Sequence, residues 1–407
     1  MNKITTISGG VTAPIGYKAA GVHCGVRHNK TKRDIALIMS DVPASAAGVY
    51  TTNLVKGAPL IVTAANLADG IAQAVICNSG NANTCNANGI EIATKMCAMV
   101  AEATGVKETD VIVASTGVIG QPLNLEPISR GIPMLASALS VDGGEDAAVA
   151  IMTTDLYKKE IAVEFTLGGK TCRIGGIAKG SGMIAPNMAT MLAFVTSDVA
   201  ISPALLQKTV TQVTDSTFNM VTVDGDTSTN DMFMVMCNGL AGNAPITEGS
   251  TENETFAAAL TIVATYLSRA IAADGEGATK LLEINVSGAA DTETARKVAK
   301  SVASSSLFKA AMCGADANWG RVLCAIGYSG AAVDIPSVSV SFKSAAGEII
   351  VCKNGAGVPF DEPTAKKILL EKDIATNISI GDGKFSATAW GCDLTYDYVK
   401  INGDYRS

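Results

Sequence analysis

KGSGMIAPNMATML, residues Lys179 to Leu192, leads from a lysine through a glycine-rich approach to Ala189-Thr190 and then into the apolar run Met191-Leu192-Ala193-Phe194-Val195. A surface linker would not end in such a run, whose length and apolarity suit a buried strand. A phosphate loop would need a different glycine spacing. A threonine inside a chain is a weak nucleophile. If the peptide bond before it is cut, its new α-amino group lies beside its own hydroxyl and serves as the base. The glycine-rich approach permits the strained turn that lets the hydroxyl attack the preceding carbonyl. A buried strand after Thr190 would hold the new N-terminus rigidly, and Lys179 would supply positive charge nearby. An Ala-Thr pair at a strand start is more often only structural, and composition and spacing leave both readings open.

The remaining 393 positions narrow the choice. The chain has 407 residues, enough for two or three domains or one large composite domain. Hydrophobic residues make up 48% and charged residues 17%, so a sizeable core can be buried. The net charge of −7 and the absence of a long basic run argue against nucleic acid as a partner, because phosphate binding needs clustered Lys and Arg. The start, MNKITTISGGVTAPIGY, has no apolar signal-peptide core. The apolar stretch Phe256 to Ala273 is interrupted by Thr261, Thr265, Ser268 and Arg269, and reads as a buried helix and not as a membrane span. Ten cysteines without CxxC spacing are expected to be reduced, buried thiols, with the cytoplasm as the simplest compartment. The histidines are His23 and His28, so catalysis is expected to manage its protons without histidine and without a zinc site.

Strand-like and helix-like runs alternate. Ile35 to Met39, Gly48 to Thr52, Ala74 to Cys77 and Val111 to Ala114 read as buried strands. Ile90 to Ala103 has helical spacing. Ser202-Pro203 starts another helix, with a serine cap followed by a proline whose missing N–H costs nothing there. Asn253 to Ala273 and Thr292 to Ala303 are further helices. The last third is expected to hold strands around Leu282 to Val286, Ser337 to Phe342, Glu348 to Cys352 and Leu394 to Ile401. The mixture predicts an α/β or α+β fold of layered sheets and helices.

Several loops carry polar chemistry. Leu167-Gly168-Gly169-Lys170 imitates the end of a phosphate loop but lacks its first glycine, and reads as a hairpin turn. Asp224 to Asp231 is rich in oxygen ligands but departs from the EF-hand pattern at Thr229 and Val235, so a hydrogen-bonded loop near an active site is the better reading. Asn78 to Asn83 reads as turn chemistry after a strand. Ser115-Thr116-Gly117 ends another strand, where the Thr116 hydroxyl and the Gly117 N–H could hold a developing oxyanion. Asp274-Gly275-Glu276-Gly277 sets one carboxylate between two glycines, either as a helix C-cap with a solvated glutamate or to meet a cationic ligand.

Lys179 to Leu192 resembles the cleavage and nucleophile segment of the bifunctional ornithine acetyltransferase/glutamate N-acetyltransferase family of arginine biosynthesis. The resemblance includes Thr12 to Tyr17, Ala46 to Asn53, Asn78 to Asn83, Met152 to Asp155, Val223 to Asp231, Asp274 to Lys280, Asn318 to Arg321 and the tail Tyr398 to Ser407. It covers the whole chain in order. It implies self-cleavage between Ala189 and Thr190 into an α chain, 1–189, and a β chain, 190–407, which form one composite unit with a smaller C-terminal α/β domain from about 281. It further implies that Thr190 takes the acetyl group of N2-acetyl-L-ornithine and passes it to L-glutamate. Thr116 and Gly117 match the oxyanion pair. Thr154, Lys179, Thr190, Glu276, Asn402 and position 407 match substrate-binding residues; Ser407 stands where threonine is frequent and keeps the hydroxyl. Proline is common just after Thr154-Asp155 in that family, whereas this chain reads Leu156-Tyr157-Lys158. A heterotetramer of two α and two β chains is the family expectation. No cofactor or metal is called for, and acetyl-CoA stays open as a second acetyl donor. Two competing readings remain: an N-terminal-nucleophile amidohydrolase or aminopeptidase of related architecture, and a non-catalytic binding or scaffold protein that keeps the fold.

Overall fold

The computed structural model of the chain describes residues 3–27, 29, 31–185 and 191–403. Nine strands form one sheet: β1 (Thr5–Ile7), β2 (Tyr17–Val22), β3 (Ile35–Tyr50), β4 (Ile71–Asn78), β5 (Val111–Ser115), β6 (Lys159–Leu167), β7 (Lys170–Lys179), β8 (Leu192–Ser197) and β9 (Met232–Cys237). They run in the order β1-β6-β7-β8-β9-β3-β4-β5, with β2 also on β3. The runs around Ile35 and Gly48, expected as separate strands, are the two ends of β3, which extends over 16 residues.

The register of β3 breaks between Met39 and Ala44. Ahead of the break β3 pairs with β2 and β4; beyond it, Ser45 to Tyr50 pair with β9. Pro43 lies in the break and has no N–H to give a ladder. The strand bends there, and the sheet folds into two layers that face each other. Strand alternation shows it, since successive side chains point to opposite faces. Ala36, Ile38, Ile112 and Ala114 share one core with Leu192, Phe194, Met232, Met234 and Met236, which fill the space between the layers. Their neighbours Ile35, Leu37, Val111 and Val113 point the other way, under the helices Gly89–Thr104 and Leu125–Ala138. Ala193, Val195, Phe233 and Val235 point outward on the second layer, under the helices Pro203–Ser216 and Thr251–Ala273. The helix expected at Asn253 to Ala273 therefore starts two residues earlier, capped by Ser250, and packs Phe256, Leu260, Val263, Leu267 and Ile271 into this core. The resulting stack of helices, sheet, sheet and helices is the layered α/β class expected from the sequence.

A second, six-stranded sheet follows: β10 (Leu281–Ala289), β11 (Ser339–Ser344), β12 (Gly347–Lys353), β13 (Ala356–Gly357), β14 (Asp373–Ser379) and β15 (Phe385–Cys392), ordered β13-β12-β11-β14-β10-β15. Its core is continuous with that of the second layer through residues such as Ile284, Trp390 and Phe308. Leu167 and Lys170 are paired across Gly168 and Gly169, both at positive φ, as a hairpin requires.

Two expectations need correction. Leu394 to Ile401 was expected as a strand, but Tyr396–Gly403 is a helix. Its alternating apolar residues misled because they are not buried: Tyr396 is 92% and Val399 67% exposed. With no sheet edge to join, the segment coils over Gly277, whose carbonyl accepts a hydrogen bond from Thr395 Oγ1 at 2.6 Å. The ten cysteines are all free thiols, yet Cys85 and Cys324 are exposed and Cys24 and Cys313 half-buried. Cys85 stands in a turn and Cys324 on the outer side of a short helix, where no apolar layer covers them.

Phe194 is buried between the layers. Phe194→Ala should cost about 3–5 kcal/mol, read as a lower denaturation midpoint in urea at unchanged slope.

Candidate active site

The bend in β3 brings its two ends back to one side of the molecule. There β5 ends at Ser115, β7 ends at Lys179, and β8 and β9 begin at Leu192 and Met232. Register places Lys179 opposite Leu192 and Leu192 opposite Met232. A cavity of about 150 Å³ opens among these strand ends, room for an amino-acid-sized ligand. Thr116, Gly117, Thr154, Lys179, Glu276 and Asn402 all line it, although they come from five separate stretches of chain. Ala189, Thr190 and Ser407 lie outside the described residues.

Thr116 and Gly117 follow β5. The Thr116 N–H is spent on the Asn78 carbonyl at 3.0 Å. The Thr116 hydroxyl and the Gly117 N–H have no hydrogen-bond partner among the described residues, so these two are the donors free to face a ligand. Gly117 has φ +128°, and a Cβ there would lie 2.6 Å from the Gly80 carbonyl carbon. A side chain cannot be added without moving that backbone. The Asn78 to Asn83 loop is thus more than a turn. Asn78 Oδ1 accepts from the Gly80 and Asn81 amides, and Asn78 Nδ2 donates to Ser115 Oγ at 2.6 Å. Asn230 completes the support: its Nδ2 donates to the Ala82 and Ser115 carbonyls, and its Oδ1 accepts from Thr84 and Thr229 hydroxyls.

Lys179 is 7% exposed, and its Nζ makes no hydrogen bond or ion pair among the described residues. Burial pulls its pKa down, against the pull of the nearby Asp155 carboxylate. Behind it lies a buried ion cluster. Lys159 Nζ is 2.7 Å from Asp155 Oδ1 and 2.5 Å from Asp274 Oδ2, and all three side chains are fully buried. Burial raises the Asp155 carboxyl, but Lys179, Lys159 and the Gly180 N–H outweigh it and hold the group well below the usual carboxylate range. Asp155 also accepts from the Thr153 N–H at 2.9 Å, which fixes the turn that carries Thr154. Leu156, in the stretch where this chain departs from the family's common proline, uses its N–H to reach Asp274 Oδ2 at 3.1 Å. A proline could not make that bond. Thr154 Oγ1 pairs with Ser181 Oγ at 2.6 Å.

Glu276 sits just past the C-cap of the helix Thr251–Ala273. Its N–H donates to the Ser181 carbonyl at 2.8 Å, and its Oε2 accepts from Asn402 Nδ2 at 2.9 Å. Its carboxyl lies over Gly182, where a Cβ would come within 2.3 Å of the carboxyl carbon. The Asp224 to Asp231 loop borders the same cavity. Asp224 accepts from the Met183 and Ile184 amides at 2.6 and 2.8 Å and from the Tyr398 hydroxyl at 3.2 Å. It ties the segment leading to Ala189-Thr190 to the helix that carries Asn402.

The sequence reading missed the Asp155–Lys159–Asp274 cluster and the contact of Ser181 with Thr154, whereas the Asp224 to Asp231 loop, read as hydrogen-bonded chain near a site, does line the cavity through Ser228, Thr229, Asn230 and Asp231. The i,i+4 spacing of Asp155 and Lys159 was a signal, but Asp274 is 115 residues further on and no pattern joins them. Chemically, the arrangement offers two free hydrogen-bond donors, Thr116 and Gly117, one cation, Lys179, and two carboxyl groups, Glu276 and Asp231, around an amino-acid-sized space. That suits acyl transfer to or from a zwitterionic amine.

The chain is similar to known proteins over almost its whole length. Residues 18–407 match the ArgJ family. The arginine biosynthesis bifunctional protein ArgJ of Symbiobacterium thermophilum is 52% identical over 403 residues, covering 98% of this chain and 99% of that protein. The protein of the same name from Caldanaerobacter subterraneus subsp. tengcongensis is 50% identical, with 98% and 99% covered. Among solved structures, the arginine biosynthesis bifunctional protein ArgJ of Bacillus halodurans is 45% identical with a TM-score of 0.50, over 52% of this chain and 98% of that one.

Lys159→Ala should leave two facing carboxylates without their cation. The expected loss is about 3–5 kcal/mol of stability, measured by chemical denaturation, since removing one partner of a buried ion pair strands the other.

Proposed function

This chain belongs to the ArgJ family, and on that premise we propose that it moves the acetyl group of N2-acetyl-L-ornithine to L-glutamate through an acetyl-Thr190 intermediate. The observation that carries the reading is the meeting of the Thr116 hydroxyl, the Gly117 N–H, the Lys179 cation and the Glu276 carboxylate in one cavity lined also by Met191, the residue after Thr190.

The first reaction is the chain's own. Thr190 Oγ attacks the Ala189 carbonyl, the C–N bond breaks, and an ester forms while the nitrogen leaves as an amine. Water then opens the ester, giving a carboxylate on Ala189 and a free α-amine beside the Thr190 hydroxyl. One feature of the relatives supports a two-chain enzyme. The matched chain of the Bacillus halodurans protein is covered almost to its full length yet spans only 52% of this one. A cut between residues 189 and 190 divides the chain near its middle.

Acetyl transfer follows the same logic. The Thr190 amine takes the hydroxyl proton as Oγ attacks the acetyl carbonyl. The Thr116 hydroxyl and the Gly117 N–H hold the tetrahedral oxyanion. The C–N bond then breaks, the proton passes to the departing nitrogen, and ornithine leaves. The α-amine of glutamate attacks the acetyl ester, and N-acetylglutamate leaves as Thr190 regains its proton. Lys179 is the cationic complement of the substrate carboxylate, and Glu276, held by Asn402, is the anionic complement of the δ-ammonium. Thr154 and Ser407 complete substrate contact. The same proposal includes acetyl-CoA as a second donor, the heterotetramer of two α and two β chains, the division at 189/190 with a smaller C-terminal domain, and a cytoplasmic location.

Intact-mass spectra under denaturing conditions should show two fragments for the wild type, the second beginning at Thr190, and one uncut chain for Thr190→Ala. A wild type that stays whole would overturn the reading. Incubation with acetylornithine should yield N-acetylglutamate only when glutamate is added. Acetate released at the same rate without glutamate would point instead to a hydrolase. Gly117→Ala should lower the transfer rate about 10²–10³-fold, the usual cost of a displaced oxyanion donor, measured by ornithine release.

A further inference from the structure

The acetyl group leaves the α-nitrogen of ornithine and arrives on the α-nitrogen of glutamate, so the two nitrogens must reach the same point in turn. Their α-carboxylates then share Lys179. Beyond Cβ the two side chains match in length as far as Cδ but end in opposite charges, an ammonium in ornithine and a carboxylate in glutamate. Among the described residues lining the cavity Lys179 is the one cation, and Glu276 and Asp231 are the acids. Glu276 suits the ornithine ammonium. It repels a second carboxylate, because like charges held close in a site of low dielectric cost free energy. The glutamate side chain therefore needs a different place. A groove of about 530 Å³ lies beside the cavity and shares Gly117, Thr153 and Thr154 with it. Among the described residues lining this groove Arg27 is the one charged group. Asp34, fully buried, accepts from the Cys24, Gly25 and Arg27 amides at 2.8, 3.0 and 3.2 Å, which fixes the turn that carries Arg27. Arg27 Nε donates to the Ser79 carbonyl at 2.8 Å. That turn packs on Gly80, where a Cβ would fall 2.6 Å from Val26 Cγ1, and Gly80 in turn backs Gly117. Lys179 and Arg27 are both close enough to the buried Cys77 thiol to favour its charged form, so the two cations flank one stretch of β4.

We propose that the groove is the side-chain subsite of the acetyl acceptor and that Arg27 binds the side-chain carboxylate of glutamate there. The inference rests on the acetyl-transfer reading above. With the α-nitrogen and α-carboxylate held, rotation about the Cα–Cβ bond between staggered positions swings the side chain from Glu276 to the wall of Gly117 and Thr154. A guanidinium presents five N–H donors in a planar fork that matches a carboxylate, so it can hold the Ser79 carbonyl and a carboxylate together. The ornithine ammonium is drawn the other way, toward Glu276 and away from Arg27. One nucleophile is thereby served by two amino acids of opposite side-chain charge, each with its own subsite.

The test compares processed wild type with Arg27→Met, which removes the charge at similar length. Initial rates are measured with glutamate and with its neutral isostere glutamine as acceptor. The wild type should prefer glutamate. In Arg27→Met the glutamate-to-glutamine ratio of kcat/KM should fall about tenfold to a hundredfold, the usual worth of a hydrogen bond to a charged group, chiefly through a higher KM for glutamate. Arg27→Lys, which keeps the charge and loses the fork, should recover part of the preference. Exchange of labelled ornithine into acetylornithine needs no glutamate, so it reports the donor half alone and should persist in both variants. A wild type without the preference, an unchanged ratio in Arg27→Met, or a loss of ornithine exchange equal to the loss with glutamate would overturn the inference and leave the acetyl-transfer reading intact. A cut wild type that exchanges neither amino acid would sink that reading instead. If the variants do not fold, the wild type decides: Arg27 is labelled with an arginine-directed dicarbonyl and quantified by peptide mass. Protection by glutamate and not by ornithine supports the assignment, and equal protection by both, or by neither, refutes it.

Discussion

The bend of β3 is the constraint on which the rest of the molecule depends. A strand of 16 residues that stayed straight would set its ends some 50 Å apart, at about 3.3 Å per residue. Then Asn78 and Ser115, which register with its start, would lie far from Met232, which registers with its end. The break around Pro43 returns the strand on itself, and both ends reach the same rim. Asn230 shows the consequence directly, since it hydrogen-bonds Ser115 from across the two layers.

Folding the sheet also fixes what the rim is made of. The space between the layers is filled by alanines, methionines and aliphatic side chains, with Tyr17 hydrogen-bonded to the Ser197 and Met236 carbonyls. Such a core is dry and close-packed. Charges next to it cannot be solvated and must be paired. The Lys159 cluster satisfies that demand for Asp155 and Asp274, and Lys179 is left facing the cavity. The cation in the site is therefore prepared by the charges behind it. Asp155 serves two elements at once, because the same carboxylate also sets the turn that presents Thr154.

Much of this was legible in the sequence. The strands around Ile35, Ala74 and Val111, the capped helix at Ser202, the helix from Thr292, and the Gly168-Gly169 hairpin follow from local patterns of apolar period, cap and turn. Four residues of the cavity carry local cues: Thr116 and Gly117 at a strand end, Glu276 between glycines and Lys179 entering a glycine-rich loop, whereas Thr154 and Asn402 follow only from the family resemblance. What was read wrongly had an equally local cause. Leu394 to Ile401 alternates like a strand, but alternation predicts a strand only when one face is buried.

The sequence by itself determined elements such as the strands at Ala74 and Val111 and the helices after Ser202 and from Thr292, because each is encoded by neighbours within a few residues. For the opening stretch, composition and spacing left a nucleophilic threonine and a purely structural Ala-Thr pair both open, and the resemblance to a family carried the choice. Tertiary structure alone decided which groups meet. Asp274 reaches Lys159 across 115 residues. Asn402 reaches Glu276 across 126. Asp224 ties Met183 to Tyr398. Contacts of that span are set by sheet register, by one bent strand and by the cost of leaving buried charges unpaired, none of which leaves a period or a spacing in the chain.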